Sequence, residues 1–171
     1  TTVREYESYK SFGLEIKDGS LIIERARAVK TDKEINDIRS ACKIIEKAYH
    51  TAIRQVKLGM SEVELKNLLE KYVFEFGGED VSFETIVAFG KNSAVPHHQT
   101  GDTKLKENQV VLIDVGCTVD GYCSDLTRTA FFGKPDKKFL DCYSAVLNAN
   151  LVAEENIKDG VTFKQADRFA R

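Results

Sequence analysis

Apolar residues at Ile35, Ile38, Cys42, Ile45, Tyr49, Ala52 and Val56 recur at steps of three and four, the stripe of an amphipathic helix. Thr31 and Glu34 precede it at capping-box spacing, where each side chain satisfies an orphan backbone donor, and Gly59 is expected to stop it. Ser61 with Glu64 opens a second helix carrying Val63, Leu68, Leu69, Tyr72, Val73 and Phe76, closed by Gly77 and Gly78. The two helices predict one layer. From Val81 the period changes to that of strands. Phe83 to Ala88 and Val110 to Val115 read as strands separated by a polar loop. Thr118-Val119-Asp120-Gly121 reads as a turn, with Tyr122 to Phe132 as the return strand of an antiparallel hairpin. Phe139, Cys142, Val146, Asn150 and Ala153 predict a third helix ending at Asp159-Gly160, and Thr162 with Gln165 starts a fourth. No stop signal follows that start before Arg171, so the sequence reads as cut off there. At the front, Leu14 to Ile16 and Leu21 to Ile23 flank Asp18-Gly19 and predict a local hairpin, the tail of an upstream unit.

Composition narrows the class. The 171 residues are 42% hydrophobic and 30% charged, enough apolar material for a core and enough charge for a solvated surface. Twenty-five Lys plus Arg against 27 Asp plus Glu give a net charge of −2 without long runs of one sign, so no nucleic-acid partner is expected. No apolar run reaches the ~18 residues of a membrane span, and Thr1 to Lys10 is too polar for a signal peptide. A cytoplasmic protein without membrane contact is expected. Cys42, Cys117, Cys123 and Cys142 form no CxxC and lie in otherwise apolar segments, which predicts reduced, structural thiols. Cys123, near an acidic pair, is the one thiol with a metal-ligand alternative.

The acidic pair is the sharpest chemical feature. Asp114 interrupts Val111-Leu112-Ile113-Asp114-Val115, and a carboxylate there must face water, pair, or bind a cation. Asp125 lies on the return strand. A Val119-Asp120 loop sets the two aspartates directly opposite, whereas an Asp120-Gly121 loop makes them diagonal neighbours, and both registers place them on one face. Like charges there call for a shared proton or a positive ion, and hard oxygen ligands suit a divalent metal. The plainer alternative pairs one aspartate with Arg128 or a lysine. In Val95-Pro96-His97-His98, either histidine could serve the site from its loop or simply face solvent. His50, on the first long helix, reads as surface. GxGxxG, a Walker phosphate loop, HExxH and GxSxG are all absent, which removes support for nucleotide chemistry and serine hydrolysis.

Four segments taken together resemble a known family: Ser82 to Ala88, Val95 to His98, Leu112 to Gly116, and Gly121 to Thr129. Their order and spacing are similar to the Xaa-Pro dipeptidase (prolidase) and aminopeptidase P branch of the pita-bread metallopeptidases. The resemblance runs from about Ala28 to Arg171. It implies an α+β fold, the first half of a pita-bread domain with an antiparallel sheet covered by helices. Residues 1–27 would be the tail of an upstream domain with its linker, and residues 28–171 the partial catalytic domain.

The resemblance further implies two divalent metal ions (Mn, Co or Zn), with Asp114 and Asp125 as the first two ligands and the remaining His/Glu/Glu set beyond Arg171. His97, directly after the proline, matches the family histidine that positions substrate and the tetrahedral intermediate; His98 has no firm counterpart. Hydrolysis of peptide bonds adjacent to proline is expected of the full-length parent rather than of this chain alone. The expected partners are a proline-containing peptide and, as a candidate assembly, a homodimer. An apolar face is expected to stand exposed unless another chain covers it. Methionine aminopeptidase is the alternative within the fold, and a non-catalytic pita-bread binding module the alternative outside enzymes.

Overall fold

The computed structural model describes residues 2–13 and 15–171. Thr1, at the head of the polar N-terminal segment, and Leu14, at one end of the expected hairpin, lie outside these residues. In chain order the elements are α1 (Val3–Ser11), α2 (Ser20–Ala28), α3 (Asp32–Ile53), α4 (Glu62–Glu75), β1 (Asp80–Val81) and β2 (Ile86–Phe89). A 3-10 turn (Gly90–Ala94) follows, then β3 (Gln109–Val115), β4 (Cys117–Val119), β5 (Tyr122–Cys123), β6 (Leu126–Phe132), α5 (Lys137–Asn156) and α6 (Phe163–Phe169).

The capping boxes at Thr31/Glu34, Ser61/Glu64 and Thr162/Gln165 open α3, α4 and α6, with both reciprocal hydrogen bonds formed in each. A further box, Thr2 with Glu5, opens α1 and was not foreseen. The hairpin expected around Asp18-Gly19 is replaced by α2. There Asp18 Oδ1 accepts from Ser20 N at 2.9 Å, and the good helix formers that follow propagate a helix because no partner strand competes for their backbone groups. Neither α1 nor α2 buries any residue.

α3 ends at Ile53 rather than continuing to Gly59. Beyond it the chain is drawn to the loop before β3, where Gly59 N donates to Leu105 O at 2.9 Å and Leu105 N to Met60 O at 2.8 Å. The buried stripe of α3 is Ala41, Ile45, Ala48 and Ala52, so three of its four buried positions are alanine. Cys42, expected inside, is exposed, whereas Cys117 Sγ lies buried against Ala41 O at 3.3 Å. All four cysteines are free, but only Cys117 is buried, which corrects the expectation of four interior thiols.

Two small antiparallel sheets take the place of the single sheet expected, with strand orders β1-β4-β5 and β2-β3-β6. The hairpin turns at Asp120-Gly121, both residues at positive φ (48° and 78°), the geometry of a type I′ turn. Strand β2 begins at Ile86, three residues later than expected, and the return strand is interrupted at Ser124-Asp125. Along β3, Val111, Ile113 and Val115 are buried with α3 and α4 in one core cluster that also holds Leu65, Leu69 and Val73. Alternation then places Leu112 and Asp114 on the opposite face.

α5 buries no residue and exposes Leu140, Val146, Leu147, Leu151 and Val152, in line with the apolar face expected to stand open. Among the described residues no helix is long and apolar enough to cross a membrane.

Candidate functional site

Gly116 sets the site's geometry. A Cβ on it would lie 2.2 Å from both Ser124 O and Ser82 Oγ, so only glycine lets the segments meet there. Across that contact Ser82 Oγ donates to Ser124 O at 2.8 Å, Ser124 N donates to Cys117 O at 2.9 Å, and Cys117 N donates to Ser124 Oγ at 3.1 Å. This knot replaces regular strand at Ser124 and fixes the next residue, Asp125.

Asp114 occupies the central strand, paired with Ile86 of β2 on one side and Thr127 of β6 on the other. The Asp120-Gly121 loop therefore selects the diagonal register of the two left open by the sequence, with Asp125 two positions from Asp114's direct partner. Asp114 Oδ1 accepts from Thr127 Oγ1 at 2.9 Å. Partial desolvation first, then the Asp114 charge, then a hydrogen bond between the two carboxyls push Asp125 above the ordinary carboxylate range. Among the described residues neither aspartate has an ion-pair partner, and Arg128 donates to the Thr127 carbonyl instead, at 2.9 Å.

His97 approaches from the loop after the 3-10 turn. Val95 is extended (φ −98°, ψ 109°), as a residue before proline must be, and His97 itself takes a left-handed backbone at φ +54°. His97, Asp114 and Asp125 line one cleft of about 500 Å³ together with Phe83, Glu84, Ile86, His98 and Gln99. Segments distant in sequence thus converge on one surface. His98 also lines the cleft, while its Nε2 lies 2.9 Å from Glu62 Oε2. His50 lies on α3, away from the cleft. Cys123 is exposed and lies 3.7 Å from Thr118 Oγ1, outside the cleft lining.

Glu62 was missed by the sequence reading. It is fully buried, and the signal for it was present: 62, 65, 69 and 73 continue the buried stripe of α4 backwards onto a carboxylate.

The donor chemistry fits a divalent cation in part. Two carboxylates share one face, crowd each other's charge and lack a basic partner, which is the environment a hard cation relieves. Among the described residues, however, no group of three or more His, Cys, Asp or Glu side chains is gathered closely enough to hold a metal, and the cleft offers the two carboxylates of Asp114 and Asp125.

Residues 36–171 match the family described as metallopeptidase family M24, and the chain belongs to that family. An uncharacterized peptidase of Staphylococcus aureus (strain USA300) is 38% identical over 161 residues, covering 94% of this chain and 45% of that protein. Among solved structures, the prolidase from Pyrococcus furiosus superposes with a TM-score of 0.94 at 34% identity, covering 99% of this chain and 51% of that one. The X-Pro aminopeptidase from Thermotoga maritima MSB8 gives 0.89 at 34% identity, covering 99% and 49%. The chain spans about half the length of the relatives it matches. The fold is α+β, the N-terminal half of the pita-bread architecture.

Proposed function

We propose that this chain carries the first metal-ligand pair and the substrate-facing histidine of a metal-dependent peptidase that cuts bonds adjacent to proline, of the Xaa-Pro dipeptidase or aminopeptidase P type. The observation that carries the reading is the shared cleft: Asp114, Asp125 and His97 line one cavity in a chain of family M24. The names of the superposing structures, a prolidase and an X-Pro aminopeptidase, support the proline-adjacent specificity.

In this reading Asp114 and Asp125 hold divalent metal (Mn, Co or Zn), of which manganese suits carboxylate oxygen donors. When bound, such metal supplies Lewis-acid polarisation and makes water nucleophilic at neutral pH. The remaining work belongs to side chains. Thr127 fixes the rotamer of Asp114 through its 2.9 Å hydrogen bond, and the Ser82–Ser124 knot fixes Asp125. His97, on its exposed loop, is free to donate to a carbonyl oxygen as negative charge develops on it. Residues 28–171 form the catalytic portion and residues 1–27 a preceding segment, a division supported by the lack of buried residues in α1 and α2. Four free cysteines support a reducing, cytoplasmic setting.

The test is hydrolysis of an Xaa-Pro dipeptide by a protein that carries this chain together with the remainder of the domain found in its relatives, supplied with Mn²⁺, alongside Asp114→Asn, Asp125→Asn and His97→Ala. Cleavage that requires Mn²⁺ and both aspartates supports the reading. Cleavage that survives Asp125→Asn, or no cleavage of any proline-containing peptide, contradicts it.

A further inference from the structure

The underside of the histidine loop is organised around Glu62, the first residue of α4, whose side chain has no solvent exposure. Its two oxygens divide the work. Oε1 accepts from Phe89 N and Asn92 Nδ2, both at 2.8 Å, and so holds the end of β2 and the 3-10 turn. Oε2 accepts from Gly101 N at 3.2 Å and meets His98 Nε2 at 2.9 Å, and so holds the far end of the loop. Burial opposes ionisation of Glu62, but the bonds from His98, Phe89, Asn92 and Gly101 outweigh it and leave its carboxyl below the ordinary range. An ionised carboxylate has no proton to give, so His98 must carry its proton on Nε2 and donate it.

A buried carboxylate is costly unless its acceptor sites are filled, and here two backbone amides and two side chains fill them. All the donors come from one stretch, residues 89–101, which brackets His97. That residue holds a left-handed backbone (φ +54°), a conformation that persists in a non-glycine residue only when its surroundings hold it. The neighbouring His98 is the direct tether. His97 and His98 both line the cleft with Asp114 and Asp125, and the ring of His98 is held to Glu62, so the bond anchors the residue directly beside His97.

We propose that Glu62 and His98 are positioning residues for His97: the Glu62–His98 hydrogen bond, on the buried side of the loop, fixes the direction in which His97 meets the cleft. This rests on the reading of His97 as the group that faces substrate.

Nitrogen-15 NMR of the protein tests it. In the wild type, His98 Nε2 carries the proton and the His97 backbone amide is rigid, with an order parameter of about 0.85. His98→Ala leaves the other three bonds of Glu62 intact and is expected to bring His97 below about 0.6 while amide protection at Ile113 and Leu69 is unchanged. Glu62→Gln keeps the oxygen that serves Phe89 and Asn92 but presents an NH₂ group to the loop. It is expected to move the His98 proton to Nδ1 and to speed exchange of the Gly101 amide by about tenfold or more, as loss of a bond to a charged acceptor does. In hydrolysis, His98→Ala is expected to lower kcat with KM and Mn²⁺ affinity unchanged. A proton on Nδ1 of His98 in the wild type, or a rigid His97 with full kcat in His98→Ala, would overturn the proposal. The NMR signature does not depend on catalysis, so a protein carrying the remainder of the domain that shows it yet cleaves no Xaa-Pro bond refutes the peptidase reading alone.

Discussion

Asp114 Oδ1 accepts a hydrogen bond from the Thr127 hydroxyl at 2.9 Å, across the ladder that joins the central strand to β6. The bond links directly opposed residues, so it holds the carboxylate rotamer on the open face of the sheet. Thr127→Val preserves shape and strand preference while removing the donor. Mn²⁺ affinity is expected to fall by about tenfold or more, the usual effect of losing a partner that orients a ligand. A Mn²⁺ titration followed by electron paramagnetic resonance measures it, and an unchanged affinity would show that Asp114 is not oriented through Thr127.

The pair of aspartates is a local liability without metal. Asp125→Asn removes one of two adjacent like charges and is expected to raise the urea midpoint of the metal-free protein, by an amount equivalent to about 0.5 kcal/mol. Mn²⁺ should then stabilise the wild type, because it binds the folded state, and leave the Asp125→Asn variant unaffected. A wild type whose midpoint ignores Mn²⁺ would count against the site.

Two capping-box glutamates set the acid limb of stability. Glu34 is lowered to about 2 chiefly by the Tyr122 hydroxyl, which donates to it at 2.5 Å, and next by its capping bonds from Thr31. Glu64 is lowered to about 2, first by the Ser61 backbone amide and then by the Ser61 hydroxyl and Lys104. A folded pKa below the unfolded value of 4.5 means that these bonds contribute fully above pH 4.5. Their contribution should fade as pH falls from 4.5 toward 2. Tyr122→Phe is expected to raise the Glu34 titration midpoint and leave that of Glu64 in place, as read from carboxyl carbon NMR.

Gly116→Ala places a methyl group 2.2 Å from Ser124 O and Ser82 Oγ, neither of which can retreat without breaking the knot at Asp125. A loss of about 2–3 kcal/mol in chemical denaturation is expected from such overpacking. Any variant protein that remains folded should bind Mn²⁺ more weakly, since Ser124 carries Asp125 with it.

Much of this was legible in advance because local chemistry and tertiary structure agree. Thr31/Glu34 and Ser61/Glu64 announced α3 and α4, and both hairpin registers put Asp114 and Asp125 on one face, so their meeting needed no knowledge of the turn. The choice of register came from Asp120 accepting a positive φ beside Gly121, which spacing alone did not decide. Other features were hidden for physical reasons. Ala41 and Ala48 are fully buried on α3, yet small residues weigh little in an apolar stripe. The partners of Glu62 were hidden because its donors, Phe89 N, Asn92, His98 and Gly101 N, are supplied by the tertiary fold. The apparent hairpin at Asp18-Gly19 failed because apolar pairs about a turn become strands only where a sheet receives them.

The central claim is that Asp114 and Asp125 together hold divalent metal beside His97. Paramagnetic broadening by substoichiometric Mn²⁺ in the ¹⁵N-labelled protein tests it most directly, because it locates even weak binding. The account predicts broadening centred on Asp114, Asp125 and Thr127, extending to His97 and abolished by Asp125→Asn. Broadening spread over other acidic surface residues, or equal in the Asp125→Asn variant, would contradict it.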